Sequence, residues 1–414
     1  MSVRKRAWAT SKGVEKEAWI VDYVDQTGKR RLKTFAKKKA ADNFAATANV
    51  EIRAGIHTAD SASITVAGAG KLWIETGERA GLERATIDAY RQHLRLHIEP
   101  YLGRVKLSQL SAPMVREFED KLARGDMPEG ADPLPRSVAM VRKVRVSLSA
   151  LLSDAQERGL VSRNVVRELR RSRKRGKERQ AEKRQRGKLK VGVDIPTREE
   201  IKAIVEAATG RWRPILLTAI FTGLRASELR GLRWADIDLD KRELHVRQRA
   251  DRYHAIGKPK SDAGERTVPL TPIVVNTLRE WKLASPKSDK GLVFPTGAGN
   301  VEAHSNIVHR GLGPTLVSAG VAYPATDAAG KPLVAKDGDP IMLPKYTGLH
   351  AFRHFYASWC INRRAEGGLE LPPKVVQERL GHSSITMTLD VYGHLFPRGD
   401  DSAELAAAER SLLA

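Results

Sequence analysis

A run of basic residues divides this chain more firmly than any other feature of its sequence. Between Arg170 and Lys190, twelve residues are Lys or Arg, two are Glu, and apolar side chains are almost absent. Such a segment has little to bury and a high charge, so it should stay extended. It predicts a linker over residues 171–190 that separates the domains before it from those after it.

The rest of the chain has enough apolar residues to fold, and its charge indicates a polyanionic partner. The 414 residues suggest two or three domains, with 72 Lys and Arg against 49 acidic residues and a formal net charge of +23. Basic groups placed on phosphates release condensed counterions, so nucleic acid is favoured. A membrane surface is the competing partner, but no basic amphipathic helix with an aromatic face supports it.

The cellular setting follows from three observations. A single cysteine, Cys360, excludes an internal disulfide and a Cys-rich zinc site. The basic start of the chain is not followed by the apolar run of a signal peptide, and no segment has the roughly 18 apolar residues of a membrane span. We therefore expect a cytoplasmic protein.

Residues 1–58 predict a small separate domain. Trp19 to Val24 alternates apolar and polar residues, a turn follows, and a return strand runs from Lys29 to Phe35 before a helix from about Lys37 to Arg53. A small basic sheet backed by a helix suits a DNA groove, whereas a solvated hairpin is the alternative. The basic residues of the return strand are the candidate contacts: Lys29, Arg30, Arg31 and Lys33.

Residues 64–170 have the apolar spacing of helices. One helix is predicted around Thr86 to Ile98, a second from Pro113 to Leu122, and a third, long one whose core stripe begins at Val138. Basic residues on the polar faces are candidate DNA contacts, although each taken alone could be a solvated charge. These residues are Arg91, Arg95, Arg142, Lys143 and Arg145.

The domain after the linker, residues 191–398, opens with a helix start signal. Thr197 and Glu200 have the spacing of a capping box for a helix from Arg198 to Ala208.

An arginine on a tight turn is the first candidate functional residue of this domain. An apolar helix ends near Gly223 and another begins within a few residues, which places Arg225 on the turn between them. There its guanidinium could fork onto a phosphate, with Glu228 one turn later to orient it. A lone arginine of this kind is usually a surface charge.

Three further elements accompany Arg225. His350 and Arg353 are three residues apart and therefore share a helix face. His382 and Tyr392 are ten residues apart across a short helix, and Lys260 is predicted at the tip of a β-hairpin between strands at Leu244–Arg249 and Arg266–Leu270. Alone, the histidines, the lysine and the tyrosine would be assigned to packing or solubility.

In type and order these residues resemble those of the tyrosine recombinases of the phage-integrase kind. Thr-Gly-Leu-Arg-x-Ser-Glu-Leu, His-x-x-Arg-His and Leu-Gly-His-Ser-Ser, followed by Tyr-Gly-His, are similar to that family's sequence boxes. The resemblance covers the catalytic domain and extends to residues 64–170 as a core-site-binding domain. It extends more loosely to residues 1–58 as an arm-type DNA-binding domain.

The resemblance implies a fold that is mainly α with small β-sheets, ending in a mixed α+β catalytic domain. It also implies that Tyr392 attacks a DNA phosphodiester and forms a 3′-phosphotyrosyl bond, without a metal or other cofactor. Arg225, Arg353 and His382 would then bind the phosphate. His350 would take the phenol proton, Lys260 would protonate the leaving 5′-oxygen, and Glu228 would orient Arg225.

The expected partners follow from the same resemblance. They are double-stranded DNA with attachment-type sites, three further copies of the chain in a tetramer, and an accessory DNA-bending or directionality factor. The cell would be bacterial or phage-infected, with the protein at the nucleoid. A C-terminal tail, residues 399–414, is predicted as a short helix that docks on a neighbouring protomer or on its own domain.

Some alternatives stay open at this level. A type IB topoisomerase uses similar chemistry, a DNA-binding regulator need not cut, and an RNA-binding module lacks support because no stacking-aromatic motif is present. A Gly-, Pro- and Asp-rich stretch over residues 321–345 is predicted as a surface insertion of hairpin type, without an assigned function.

Overall fold

The computed structural model describes residues 1–9, 15–25, 28–53, 55, 57–126, 134–169, 188–327, 329–335, 337–397 and 401–414, with side chains of the last helix from residue 405. It has two compact units, Met1–Lys174 and Arg175–Ala414. The predicted linker lies mostly outside the described residues. The finer division into five segments stays a prediction.

The first unit starts with a sheet of three strands rather than two. Strands β1 (Ser2–Ala9), β2 (Glu15–Val24) and β3 (Arg30–Phe35) are antiparallel in that order, and helix α1 (Lys38–Arg53) packs on them. β2, β3 and α1 are the elements that the sequence predicts. β1 was missed because its run of basic residues hides the alternation.

The register of this sheet separates its basic residues onto two faces. Lys33 lies opposite Val21 and Arg31 opposite Tyr23, and Val21 and Tyr23 are buried against α1. Arg31 pairs with Asp25 at 2.7 Å. Lys33 therefore lies on the covered face with Arg31.

The other face of the sheet is the basic one that solvent reaches. Arg30 lies there with its side chain 70% exposed and pairs with Asp22 at 2.5 Å. Arg4 and Arg6 of β1 share that face, because they lie opposite Ile20 and Ala18. Sequence reasoning missed these two arginines with the strand that carries them.

The helical part of the first unit follows the predicted spacing. A π-helical turn, Leu94–Ile98, joins helix α3 (Arg84–His93) to helix α4 (Glu99–Leu102). The apolar stripe of helix α6 (Val138–Glu157) is buried from Val144 onward, but Val138 in its first turn is 87% exposed, contrary to the prediction. The helices are α2 (Val66–Arg79), α3 (Arg84–His93), α4 (Glu99–Leu102), α5 (Ala112–Arg124), α6 (Val138–Glu157) and α7 (Val165–Glu168).

The five basic residues predicted to contact DNA in this part differ in their surroundings. Arg95, Arg142 and Lys143 are exposed. Arg91 is exposed and pairs with Asp88 and Glu78. Arg145 is half-buried beside the carboxylate of Glu119, at 3.6 Å.

A polar seam joins the sheet to the helical part. His57 is 5% exposed and lies 3.0 Å from the hydroxyl of Tyr23 and 2.9 Å from Glu51. Ser162 donates to the other oxygen of Glu51, and Lys33 pairs with Asp60 at 2.7 Å. The hydrogen bond from Ser162 to Glu51 therefore links α1 to the helical part of the same compact unit.

The second unit is built around helices α9 (Trp212–Thr222) and α14 (His350–Ile361). The predicted capping box of helix α8 (Arg198–Ala207) is confirmed, since Thr197 and Glu200 exchange hydrogen bonds. The helices are α8 (Arg198–Ala207), α9 (Trp212–Thr222), α10 (Ala226–Gly231), α11 (Pro272–Ala284), α12 (His304–Asn306), α13 (Gly313–Ser318), α14 (His350–Ile361), α15 (Pro373–Leu380), α16 (Ile385–Tyr392) and α17 (Asp401–Leu413).

Small sheets lie between α10 and α14. Strands β4 (Ile237–Asp238), β5 (Glu243–Val246) and β8 (Arg266–Pro269) form one antiparallel sheet. A second pair, β6 (Arg249–Ala250) and β7 (Ile256–Gly257), is inserted between β5 and β8. The predicted hairpin is therefore interrupted by a smaller one.

The insertion at residues 321–345 is more elaborate than one hairpin. Strands β9 (Ala322–Pro324) and β10 (Met342–Pro344) pair at its base. Above them, Ala325 donates to Ile341, Ile341 donates to Leu333 and Leu333 donates to Ala325, each through backbone atoms 2.7 to 2.8 Å apart. Three segments spaced eight residues apart thus close a ring of hydrogen bonds.

Helix α17 follows residues outside the described part of the chain. Its side chains from residue 405 onward are exposed, among them Leu405 at 67%, Leu412 at 85% and Leu413 at 77%. No helix among the described residues is long and apolar enough to cross a membrane.

Candidate active site

The first motif places Arg225 between two helices. α9 ends at Gly223 with φ +61°, and a Cβ there would lie 2.5 Å from the ring of Tyr356, so the turn requires glycine. Arg225 caps α10. Glu228 accepts from its backbone N–H and from Nη1, both at 2.9 Å. The Arg225 side chain remains 36% exposed and can reach a ligand.

A second arginine, which the sequence did not single out, holds Glu228 from the other side. Arg266 donates to the two carboxylate oxygens at 2.9 and 3.2 Å, and to the carbonyls of Arg379 and Gly264. Burial would raise the pKa of Glu228, but Arg266 and Arg225 hold it below its usual range. The signal for Arg266 was its inward position on β8, two residues from the buried Val268.

Arg353 connects the first motif to the third. It is 2% exposed on α14, where Nη1 donates to the carbonyl of Gly223 at 2.7 Å and Nη2 to that of Leu380 at 2.5 Å. Burial, followed by the charge of Arg225, lowers its pKa to about 9. Two backbone carbonyls therefore hold this buried guanidinium in place.

His382 lies directly after the turn that ends α15. Gly381 adopts φ +62°, and its carbonyl accepts from Arg225 at 3.2 Å. Nδ1 of His382 lies 2.9 Å from the hydroxyl of Thr388. Burial, together with Arg353 and other nearby cations, lowers the pKa of His382 to about 4.

Tyr392 is the last residue of α16 and is 1% exposed. Its ring lies parallel to that of His382, with centroids 6.3 Å apart and planes 7° apart. Burial raises the pKa of the phenol to about 12, although Arg353 and Arg225 act in the opposite direction. The predicted nucleophile thus lies among the predicted phosphate-binding groups.

The hydrogen-bond partner of the phenol is His354, where the sequence pointed to His350. Nδ1 of His354 lies 2.8 Å from the Tyr392 hydroxyl. His350 is exposed at the start of α14, and its ring meets that of His354 edge-on at 4.5 Å. Loss of surrounding water and the charges of Arg353 and Arg225 lower the pKa of His350.

Lys260 is not at the tip of a hairpin. The inserted pair β6–β7 has its tip at residues 251–255, and Lys260 follows β7 in an exposed loop that leads to β8. That loop ends at Gly264, whose carbonyl accepts from Arg266. Lys260 therefore lies in an exposed loop whose end is bonded to Arg266.

No group of three or more His, Cys, Asp or Glu side chains within the described ranges has an arrangement that could hold a metal ion. The polar groups that converge in this unit are three guanidiniums, the carboxylate of Glu228, imidazoles and a phenol.

With this geometry in view, the comparisons with known proteins decide the family. Residues 196–398 match the phage integrase family. Over 402 residues, the chain is 27% identical to a tyrosine recombinase XerC-like protein of Caldanaerobacter subterraneus subsp. tengcongensis, covering 91% of this chain and 89% of that one. This chain belongs to the tyrosine recombinase family. It is an enzyme that cleaves and rejoins DNA in site-specific recombination.

Three integrases share parts of the sequence or the fold. Prophage integrase IntR of Escherichia coli is 26% identical over 217 residues, which is about half of either chain. The Tn1549 transposon integrase, solved with transposon right end DNA, superposes with a TM-score of 0.57 at 19% identity and covers 84% of this chain and 99% of that one. A lambda integrase tetramer bound to a Holliday junction gives a TM-score of 0.51 at 16% identity, over 92% and 96%.

These structural similarities confirm the predicted fold class, which is mainly α with small β-sheets and a mixed catalytic domain.

Proposed function

We propose that this recombinase integrates or excises a mobile DNA element through a 3′-phosphotyrosyl intermediate on Tyr392. The observation that carries the proposal is the convergence of Tyr392, Arg353 and His382 with Arg225 in one unit. A prophage integrase and a transposon integrase among the similar proteins support a mobile element as the substrate.

The charges of the site suit a phosphodiester that is becoming five-coordinate. Arg225, Arg353 and Arg266 face one carboxylate, Glu228, which leaves two positive charges for the phosphate. Guanidiniums held in place before the reaction stabilise the developing charge without reorganising. His382 would add a third contact to the non-bridging oxygens.

In the proposed cleavage step, the phenol oxygen of Tyr392 forms a bond to phosphorus and the bond to the 5′-oxygen breaks. His350, exposed beside Arg353, would accept the phenol proton, and Lys260 would give a proton to the departing 5′-oxygen. A 5′-hydroxyl of a second strand then attacks the phosphotyrosine and releases Tyr392. The covalent bond conserves the energy of the broken linkage.

The DNA-binding surfaces proposed for the first unit are its exposed basic faces. On the sheet, this face carries Arg4, Arg6 and Arg30, with Lys29 beside it. On the helices it includes Arg91, Arg95, Arg142 and Lys143. Arg31, Lys33 and Arg145 are half-buried as well as paired with carboxylates of the same unit, and they would contribute less.

We also propose a tetramer on paired DNA sites, with α17 packed on a neighbouring protomer. The exposed leucines of α17 support this, since a helix of 13 residues is marginal alone in water. A lambda integrase forms a tetramer on a Holliday junction. An accessory DNA-bending or directionality factor would act on the same complex.

A trapped adduct on nicked DNA tests the nucleophile. The duplex spans the ends of the element and carries a nick close to the cleavage site. The short fragment released with a free 5′-hydroxyl then diffuses away, so the covalent complex accumulates. Tyr392→Phe should form no adduct while still binding the duplex, and Tyr323→Phe, changed at an exposed tyrosine, should behave like wild type.

An adduct formed by Tyr392→Phe would refute the proposed nucleophile. Efficient relaxation of supercoiled DNA without specific sites, and without joint products, would instead favour a topoisomerase-like activity.

A further inference from the structure

The His-x-x-Arg-His motif ends in a histidine, His354, that has no role in the proposed cleavage step. His354 is half-buried on α14, four residues and one turn after His350. Its Nδ1 is 2.8 Å from the Tyr392 hydroxyl.

The phenol of Tyr392 lies between the imidazoles of His354 and His382, which contact it in different ways. The His382 ring lies parallel to the tyrosine ring, whereas the His354 ring meets it at 61° with centroids 5.8 Å apart. Stacking fixes the plane of the phenol but not the position of its oxygen along that plane. Only the hydrogen bond to His354 fixes the oxygen, within the described contacts of Tyr392.

We propose that His354 is a positioning residue, whose Nδ1 accepts the hydrogen bond of the Tyr392 hydroxyl and fixes the nucleophilic oxygen before attack. The proposal rests on the proposed function of Tyr392 as nucleophile. It assigns the removal of the proton to another group and gives His354 the task of placing the oxygen.

The chemistry of the two groups supports holding over deprotonation. Burial and the neighbouring His350 and Arg353 lower the pKa of His354 to about 4, whereas the pKa of the phenol is about 12. A ring that weakly basic accepts a hydrogen bond but does not take the proton from so weak an acid. Without His354 a hydroxyl that is almost fully buried would lose its partner, and its oxygen could move.

The contact that orients His354 also comes from the site. Its ring is set by the edge-on contact with His350, at 4.5 Å and 81°, one turn earlier on the same helix. His350 can therefore approach the substrate from an exposed position while His354 stays fixed behind it.

The first test measures single-turnover adduct formation on the nicked duplex at saturating protein. His354→Leu should lower the rate constant about 100-fold, the effect of misplacing a reacting atom by about 1 Å, with no change in the Kd for the duplex. His354→Asn, whose amide can stand near the position of Nδ1, should recover most of that loss. His245→Leu, at a half-buried histidine of β5 whose Nδ1 lies 2.9 Å from the hydroxyl of Thr267, should leave the rate unchanged.

The second test replaces the phenol by a small nucleophile. In a Tyr392→Phe background, hydrogen peroxide can attack the phosphorus while the 5′-oxygen leaves with a proton. Because peroxide needs no positioning by His354, adding His354→Leu should not slow this cleavage, whereas adding Arg353→Ala should.

Two results would overturn the proposal. One is an adduct rate of folded His354→Leu that equals the wild-type rate. If His354→Leu does not fold, the corresponding result is an adduct rate of His354→Asn as low as that of Arg353→Ala. The other is a loss of peroxide cleavage on adding His354→Leu that equals the loss on adding Arg353→Ala. His354 would then act on the phosphate and not on the phenol. Failure of the nucleophile assignment would look different, because Tyr392→Phe would still form the adduct.

Discussion

Arg266 donates to both carboxylate oxygens of Glu228, at 2.9 and 3.2 Å. Because Glu228 also holds Arg225, this buried pair fixes the position of a guanidinium that is 36% exposed. Arg266 also bonds the carbonyl of Gly264, at the end of the Lys260 loop. One side chain thus aligns parts of the site that are distant in sequence.

Arg266→Met should therefore affect stability and activity together. It leaves Glu228 buried with one partner fewer, and breaking a buried pair typically costs about 3–5 kcal/mol. We expect a comparable fall in the free energy of unfolding, measured by urea denaturation, and a slower adduct rate. Arg279→Met, which removes an exposed pair with Asp240, should cost about 1 kcal/mol or less. Equal losses in the two variants would contradict the bridging role.

His354 and His382, the two histidines beside Tyr392, predict a loss of stability in mild acid. The pKa values of His354 and His382 are lowered to about 4, mainly by burial, while an unfolded histidine titrates near pH ~6.5. The unfolded chain therefore binds protons over a range in which the folded chain does not. The free energy of unfolding should be full above about pH 6.5 and fall as the pH drops towards 4.

Denaturation at pH 7.5, 6 and 5 measures this slope. The double variant His354→Gln, His382→Gln should show a shallower decline than wild type, and His245→Gln, at a half-buried position on β5, should not. The same slope in all three proteins would mean that other groups control the acid response.

Gly381 offers a test of how tightly the motifs meet. A Cβ at Gly381 would lie 2.8 Å from the carbonyl oxygen of Ala263 and 2.9 Å from Nη1 of Arg266. Gly381→Ala should lower the free energy of unfolding and slow adduct formation. Gly330→Ala, at a residue with similar positive φ but open space around it, should show only the backbone strain of about 1–2 kcal/mol and normal activity. Equal activity in both would contradict the close approach.

The open face of the N-terminal sheet predicts a salt-dependent effect. Arg6→Ala should weaken duplex binding and reduce the slope of log affinity against log salt by about one. Lys33→Ala, on the covered face beside Asp60, should lower stability more than affinity. Binding titrations from low to moderate salt compare the two variants. A larger loss of affinity for Lys33→Ala would place the DNA on the covered face and contradict the proposed binding face.

Helix α17 predicts assembly without a contribution to the stability of one chain. Leu405→Glu with Leu412→Glu should leave the melting temperature unchanged and reduce tetramer formation on paired sites, as measured by sedimentation. Leu283→Glu, which alters a leucine that is 91% exposed elsewhere in the unit, is the control. A lower melting temperature would indicate that α17 packs on its own unit.

The features that sequence predicted well depend on local spacing. The capping box of α8 and the glycine that ends α9 are set by a few neighbouring residues, so they appear where the pattern puts them. The motif residues Arg225 and Glu228 are likewise one turn apart and meet as expected.

The features that sequence missed depend on which distant segment lies opposite. His350 and His354 share a helix face, and only the approach of α16 decides that Tyr392 meets His354. Pairing with β2 sends Arg31 and Lys33 to the covered face of the sheet, which their own alternation could not specify. Arg266 was overlooked because its partner Glu228 is 38 residues away.

The two carbonyls bonded by Arg353 also determine when, during synthesis of the chain, its guanidinium can become ordered. Gly223 precedes Arg353 by 130 residues and Leu380 follows it by 27, so both bonds require nearly the whole second unit to be present. A chain still emerging from the ribosome, or cut short before α15, lacks the clamp that orders the guanidinium. The ordered position of this guanidinium is therefore reached only after synthesis has passed Leu380.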